Sequence, residues 1–138
     1  MTTLPYGEPS YGLTRTLSGV AYADAIGKVT EALKGEGFGV LTEIDVTATL
    51  KKKIDVDLGR PYIILGACNP PLAHKALSAE PAIGLLLPCN VVVTEDAQGN
   101  AVVSAIDPSK MFEVVGNADV APLADEVRSR LNRVLDAL

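Results

Sequence analysis

The residues best equipped for chemistry fall in two short stretches. They are Gly66-Ala67-Cys68-Asn69-Pro70-Pro71-Leu72-Ala73-His74-Lys75 and Leu85-Leu86-Leu87-Pro88-Cys89-Asn90. Together they hold both cysteines and the single histidine of the 138-residue chain. Cys68 ends an apolar run and precedes Asn69-Pro70, the pattern of a strand passing into a helix N-terminus. Backbone N–H groups there lack intrahelical partners, and the positive end of the helix dipole favours a thiolate. His74, six residues on, supplies the imidazole of a Cys–His nucleophile–base pair. Against that stands the opposite reading, of an inert buried thiol and a surface histidine, because cysteine is among the most buried residue types.

Cys68, His74 and Cys89 are also donor types for zinc or copper(I), but no Cys-x-x-Cys pair accompanies them. No metal site is assigned and no cofactor is expected. A disulfide is not expected either. Pairing an Ile83–Thr94 strand with a Tyr62–Cys68 strand places Cys89 several residues from Cys68, beyond the roughly 7 Å that a bridge spans between Cα atoms. Gly66 lies inside a strand pattern, where glycine marks a bulge or a close backbone approach, or simply packs. With Pro88 and Cys89 it frames a small concavity. The candidate ligand-binding set is Gly66, Cys68, Asn69, Pro70, His74, Pro88, Cys89 and Asn90. The carboxylates offer less. Asp45 and Asp107 read as helix caps, and no pair has a spacing that compels acid–base work. There is no Gly-x-Ser-x-Gly and no glycine-rich phosphate loop, so neither hydrolase nor nucleotide chemistry has support.

The elements that must position these residues are legible as periodicity. Tyr11 to Ser18 reads as a strand. Ala21 to Lys34 has apolar residues at helical spacing, with Gly35 and Gly37 as the stop. Phe38 to Ile44 reads as a strand, and Asp45 caps a short helix to Ile54. Tyr62 to Cys68 is a strand and Asn69 caps a helix to about Ala79. Ile83 to Thr94 reads as a long strand interrupted at Pro88. Glu95 to Asn100 is a hairpin turn, and Ala101 to Ile106 returns as a strand. Asp107-Pro108 opens a short helix. From about Val120 to Ala137, Leu123, Val127, Leu131, Val134 and Leu135 form one helical stripe. Two long helices flanking a run of strands indicate an α+β fold, with an antiparallel sheet and both helices on one face. The Glu95–Asn100 hairpin argues against a parallel, Rossmann-like sheet.

A chain of 138 residues is expected to form one domain. Residues 1–10 are expected as a flexible arm and 11–138 as the domain. The net charge of −5 leaves no electrostatic footprint for nucleic acid. The one basic run, Lys51-Lys52-Lys53, reads as a solvated helix face. No apolar run is long enough to span a bilayer, so no membrane partner is expected. Two cysteines without a secretory signal point to reduced thiols and a cytoplasmic location.

Four motifs, in order, carry a resemblance to a known family. They are Tyr11-Gly12-Leu13, Gly37-Phe38-Gly39-Val40-Leu41-Thr42-Glu43-Ile44-Asp45, Leu65-Gly66-Ala67-Cys68-Asn69-Pro70 and Gly84-Leu85-Leu86-Leu87-Pro88-Cys89-Asn90-Val91-Val92-Val93. From Tyr11 to Leu138 the chain resembles the DUF302 family. The resemblance implies a β-α-β(4)-α arrangement of TBP-like type and a homodimer. The family's activity is unknown, so none is carried over. The resemblance also implies that Asn69-Pro70 is a structural turn before it is a frame for a reactive Cys68. The expected function is binding of a small ligand or a partner protein without catalysis. The alternative is a thiol- or metal-dependent redox or sulfur-handling protein using Cys68, with Cys89 and His74.

Overall fold

The computed structural model describes residues 5–138. Five strands, β1 (Gly12–Leu17), β2 (Gly39–Asp45), β3 (Tyr62–Cys68), β4 (Cys89–Glu95) and β5 (Ala101–Ile106), form one sheet of order β1-β5-β4-β3-β2. Every neighbouring pair is antiparallel. Among the described residues the α-helices are α1 (Tyr22–Gly35), α2 (Val46–Ile54), α3 (Pro70–Ala79), α4 (Pro108–Glu113) and α5 (Ala121–Asp136). β1 and β2 are the two edges, so α1 must cross the sheet to join them. This is the α+β architecture expected from the element order. The first four residues of the expected arm lie outside the described residues.

Alternation sets which strand positions enter the core. Leu65, Val91, Val93 and Val103 point one way from the three central strands and are at most 1% exposed. Ala25, Val29 and Leu33 recur every four residues along α1, and Val127, Leu131, Val134 and Leu135 form the matching stripe of α5. These stripes close over the same face in one apolar cluster. Each fully buried Val or Leu is worth about 1.5–3 kcal/mol against exposure. With no tryptophan and few aromatics in the chain, stability rests on many such aliphatic contacts. No described helix is long and apolar enough to cross a membrane.

The caps behave as the residue types suggest. Asp45 accepts from the Ala48 N–H at 2.9 Å and opens α2. Asp107 accepts from the Ser109 N–H at 3.0 Å and its hydroxyl at 2.7 Å, and opens α4. Asp96 accepts from the N–H groups of Gln98 and Asn100, and Gly99 takes φ +81°, which shapes the β4–β5 turn.

One expected strand is different. Ile83–Thr94 breaks at Pro88 as expected, but the part before the break is not strand. Pro81–Leu86 is a 3₁₀ turn, and β4 begins only at Cys89. Proline supplies no ladder donor, so Pro88 closes the pairing and Ala67↔Cys89 is the last matched pair of β3 and β4. The turn tucks Ile83 beneath α3. There it joins Ala76, Phe112, Val120 and Ala124 in a second, smaller apolar cluster.

Candidate functional site

Between the two clusters, at the end of the sheet where β3 passes into α3, lies a cavity of about 390 Å³. Its walls come from six places. The start of β2 gives Leu41 and Thr42, and the end of β3 gives Ala67 and Cys68. One face of α3 gives Leu72, Ala73, Ala76 and Leu77. The approach to β4 gives Leu87, Pro88 and Cys89, and α4 and α5 close it with Phe112, Leu123 and Val127. Among the described residues, no Asp, Glu, Lys, Arg or His lines it. Leu41 and Leu77 are 67% and 40% exposed although both line the cavity, which places them at its mouth. A larger depression of about 800 Å³ along α1 includes Asp24, Lys28 and Glu31 and neither cysteine.

Gly66 explains how the walls come so close. A Cβ at this position would collide with Thr42 Oγ1 and lie 2.9 Å from Pro88 Cγ. The glycine is therefore a close-approach residue. Its missing side chain lets two wall residues, from β2 and from the loop before β4, meet over β3. The pairing of β2 with β3 also slips between Val40 and Thr42, leaving Leu41 at the irregularity. That slip turns Leu41 outward at the mouth.

A second device fixes the other side. Gly37 has φ +84° and ends α1, with the Phe38 N–H donating to Leu33 O. A Cβ on Gly37 would sit 2.9 Å from Asn69 Nδ2. Asn69 Nδ2 donates to Glu36 O at 3.4 Å, and Arg130 Nη1 donates to the same carbonyl at 2.9 Å. Arg130 and Arg133 are held in turn by Glu126 and Glu36. The turn that delivers Phe38 to the cavity is thus tied to both α3 and α5. The charges close on one another outside the apolar space.

The two thiols sit nearer than the sequence suggested. Cys89 pairs opposite Ala67, one residue from Cys68, because β4 starts late and Pro88 ends the ladder. The expected separation of several residues is therefore wrong. Both cysteines are free and both line the cavity. Alternation sends Ala67 and Cys68 to opposite sides of β3, so adjacency in register does not aim the thiols at each other. Cys89 is 7% exposed, and burial, together with the nearby Cys68, pushes its pKa up to about 11.

The helix end beside Cys68 is also different from the expectation. Pro70 and Pro71 have no N–H, the Leu72 N–H donates to Asn69 Oδ1, and the Ala73 N–H donates to Asn69 O. From Pro70 to Ala73 no backbone N–H is left without a partner. Asn69 and the prolines make this a closed turn rather than an anion cradle.

Of the sequence candidates, Cys68, Asn69, Pro88 and Cys89 line the cavity, and Gly66 lies against two of its wall residues. Pro70 and His74 are exposed and outside it. His74 therefore does not meet Cys68 there as an acid–base partner. Asn90 faces the other side of the sheet, in a shallow groove with Tyr6, Pro9 and Val92. No group of three or more His, Cys, Asp or Glu side chains is placed to hold a metal ion among the described residues. Sequence reasoning missed Phe38, Leu72, Ala76, Phe112 and Val127. For the last four the signal was present, as the apolar faces of α3, α4 and α5, but apolar periodicity does not distinguish a filled interior from a hollow one.

A family model described as DUF302, a domain of unknown function, matches residues 13–138. A solved structure described as an uncharacterized conserved protein DUF302 from Bacillus stearothermophilus is similar throughout, with a TM-score of 0.86 and 29% sequence identity. That similarity covers 94% of this chain and 98% of the other. No curated protein matches the chain.

Proposed function

The chain belongs to the DUF302 family, and from that premise we propose that it is a binding domain for a small, uncharged, mainly apolar molecule. The observation that carries this reading is the cavity of about 390 Å³ with no carboxylate, amine, guanidinium or imidazole in its lining among the described residues. Ligand sites of roughly 300–1,000 Å³ lined by apolar side chains are the usual form of a small-molecule pocket. This one is about two and a half times the roughly 150 Å³ cavity that takes up benzene. An ionised ligand would lose its hydration there and meet no countercharge. The polar handles are few and neutral: the Thr42 hydroxyl, the Asn69 amide and two thiols.

Support for binding without catalysis comes from the same lining. A general acid or base must reach the reacting proton, and the single histidine lies outside the cavity. The homodimer and the cytoplasmic location implied by the resemblance and the thiols belong to this reading. Sedimentation velocity reads the dimer directly, as a species of double the 14.4 kDa chain mass.

Calorimetric titration with 1-octanol tests the binding reading. Saturable uptake with a negative heat-capacity change is expected, the mark of apolar surface leaving water. Absence of saturable heat across several temperatures would remove the reading.

A further inference from the structure

We propose that the cavity is a thiol-exchange site, in which Cys68 forms a reversible mixed disulfide with a small disulfide bearing apolar substituents. The inference rests on the apolar-ligand reading above and names the chemical class of that ligand.

Three observations carry it. Cys68 is half-buried and lines the cavity at the strand end, where an apolar substituent has space beside it. Cys89, in the same lining, is 7% exposed and its thiol has no hydrogen-bond partner among the described residues. A buried, unpartnered S–H facing a cavity fits a soft, weakly accepting atom in the occupant, and sulfur is such an atom. The third observation is what the walls lack. Thiol attack on a thioester or an unsaturated carbonyl builds negative charge on oxygen, which needs preorganised donors. At the start of α3 the two prolines have no N–H, the Leu72 and Ala73 N–H groups are taken by Asn69, and the Asn69 amide donates to Glu36 O, so no paired set of free donors is aimed at an oxyanion. Thr42 is left as the one hydroxyl in the lining. Metal chelation lacks a third ligand of the usual kinds among the described residues. Exchange of sulfur for sulfur needs neither an oxyanion hole nor a metal.

The step balances without net oxidation. The Cys68 thiolate attacks one sulfur of R–S–S–R. The Cys68–S–S–R bond forms as the original S–S bond breaks, and the leaving R–S⁻ takes up a proton equivalent to the one Cys68 released. Cys89 stays a thiol at neutral pH because burial holds its pKa near 11. It therefore does not displace the bound group, and the mixed disulfide persists until an external thiol reverses it.

The test compares dipropyl disulfide with glutathione disulfide, each at equal concentration against reduced protein, read by intact mass and peptide mapping. A single propylthio adduct on Cys68 is expected. The ratio of rates, dipropyl over glutathione disulfide, is expected at least tenfold above the same ratio for free cysteine. Cys68→Ser should lose the adduct and Cys89→Ser should keep it. A ratio equal to that of free cysteine, an adduct on Cys89, or an adduct surviving in Cys68→Ser overturns the inference. Octanol uptake by the untreated wild-type protein separates the two proposals. If octanol binds and selective exchange fails, only the exchange site falls. If octanol fails as well, the pocket reading falls with it.

Discussion

Replacing Gly66 by alanine is the sharpest mechanical test of the site. The new Cβ meets Thr42 Oγ1 and lies 2.9 Å from Pro88 Cγ, so a wall residue or the edge strand must move. Gly66 does not have a positive φ, so alanine's backbone preference is not at issue. Removing glycine from a strand interior returns about 0.5–1 kcal/mol through the unfolded chain. Overpacking of this kind costs about 1–3 kcal/mol. The net expectation is a loss of roughly 1–2 kcal/mol. With a urea m-value of about 2 kcal/mol/M, the unfolding midpoint falls by roughly 0.5–1 M. Thr42→Ala in the same background removes the nearer obstacle, so the double variant should recover about 1 kcal/mol beyond additivity. Urea unfolding of the four proteins, followed by circular dichroism, measures the cycle. If Gly66→Ala is as stable as wild type, or if the cycle shows no coupling, the close-approach account of Gly66 is wrong.

Three further perturbations follow from named contacts. Gly37→Ala forces a left-handed φ on alanine and crowds Asn69 Nδ2. A loss of about 1–2 kcal/mol is expected from the backbone alone, read by urea unfolding. Asp107 is buried, and burial by itself would raise its pKa. The Ser109 hydroxyl, the Ser109 N–H and Arg128 outweigh it and hold the carboxyl below its ordinary value. Its stabilisation is therefore complete above the unfolded value of about 3.9 and lost as pH falls through the folded one, and Asp107→Asn should flatten that acid limb of Tm against pH. Cys89 has the opposite sign of dependence. Its raised pKa favours the folded state below the unfolded value of about 8.5, and that contribution is lost as pH climbs toward about 11. In Cys68→Ser protein, thiolate absorbance should appear only near the upper value while folded, and near the lower one in denaturant.

Much of the fold was legible because local rules and burial agree. Asn69, Asp45 and Asp107 cap the helices that their types announce, and the stripe from Val127 to Leu135 is the buried face of α5. The failure at Ile83–Thr94 has a specific cause. An apolar run reads alike as a buried strand or a buried turn, and Pro88 decided where the ladder stopped. The position of Cys89 beside Cys68 depended on that same stop, so the error in the strand became an error in the site. His74 shows another limit. On α3, positions two apart are turned about 200° from each other, and His74 is exposed while Leu72 and Ala76 line the cavity. The hollow between the two clusters could not be read from one dimension, because its walls come from segments spread between Phe38 and Val127.

Methyl NMR during paired titrations with 1-octanol and octanoate tests the central claim most directly. The account predicts that octanol shifts the methyls of Leu72, Ala76 and Val127 saturably, and that octanoate binds at least tenfold more weakly because the lining has no cation. Equal binding of the two, or octanol shifts confined to Val92 and Ile106 on the opposite face of the sheet, would contradict it.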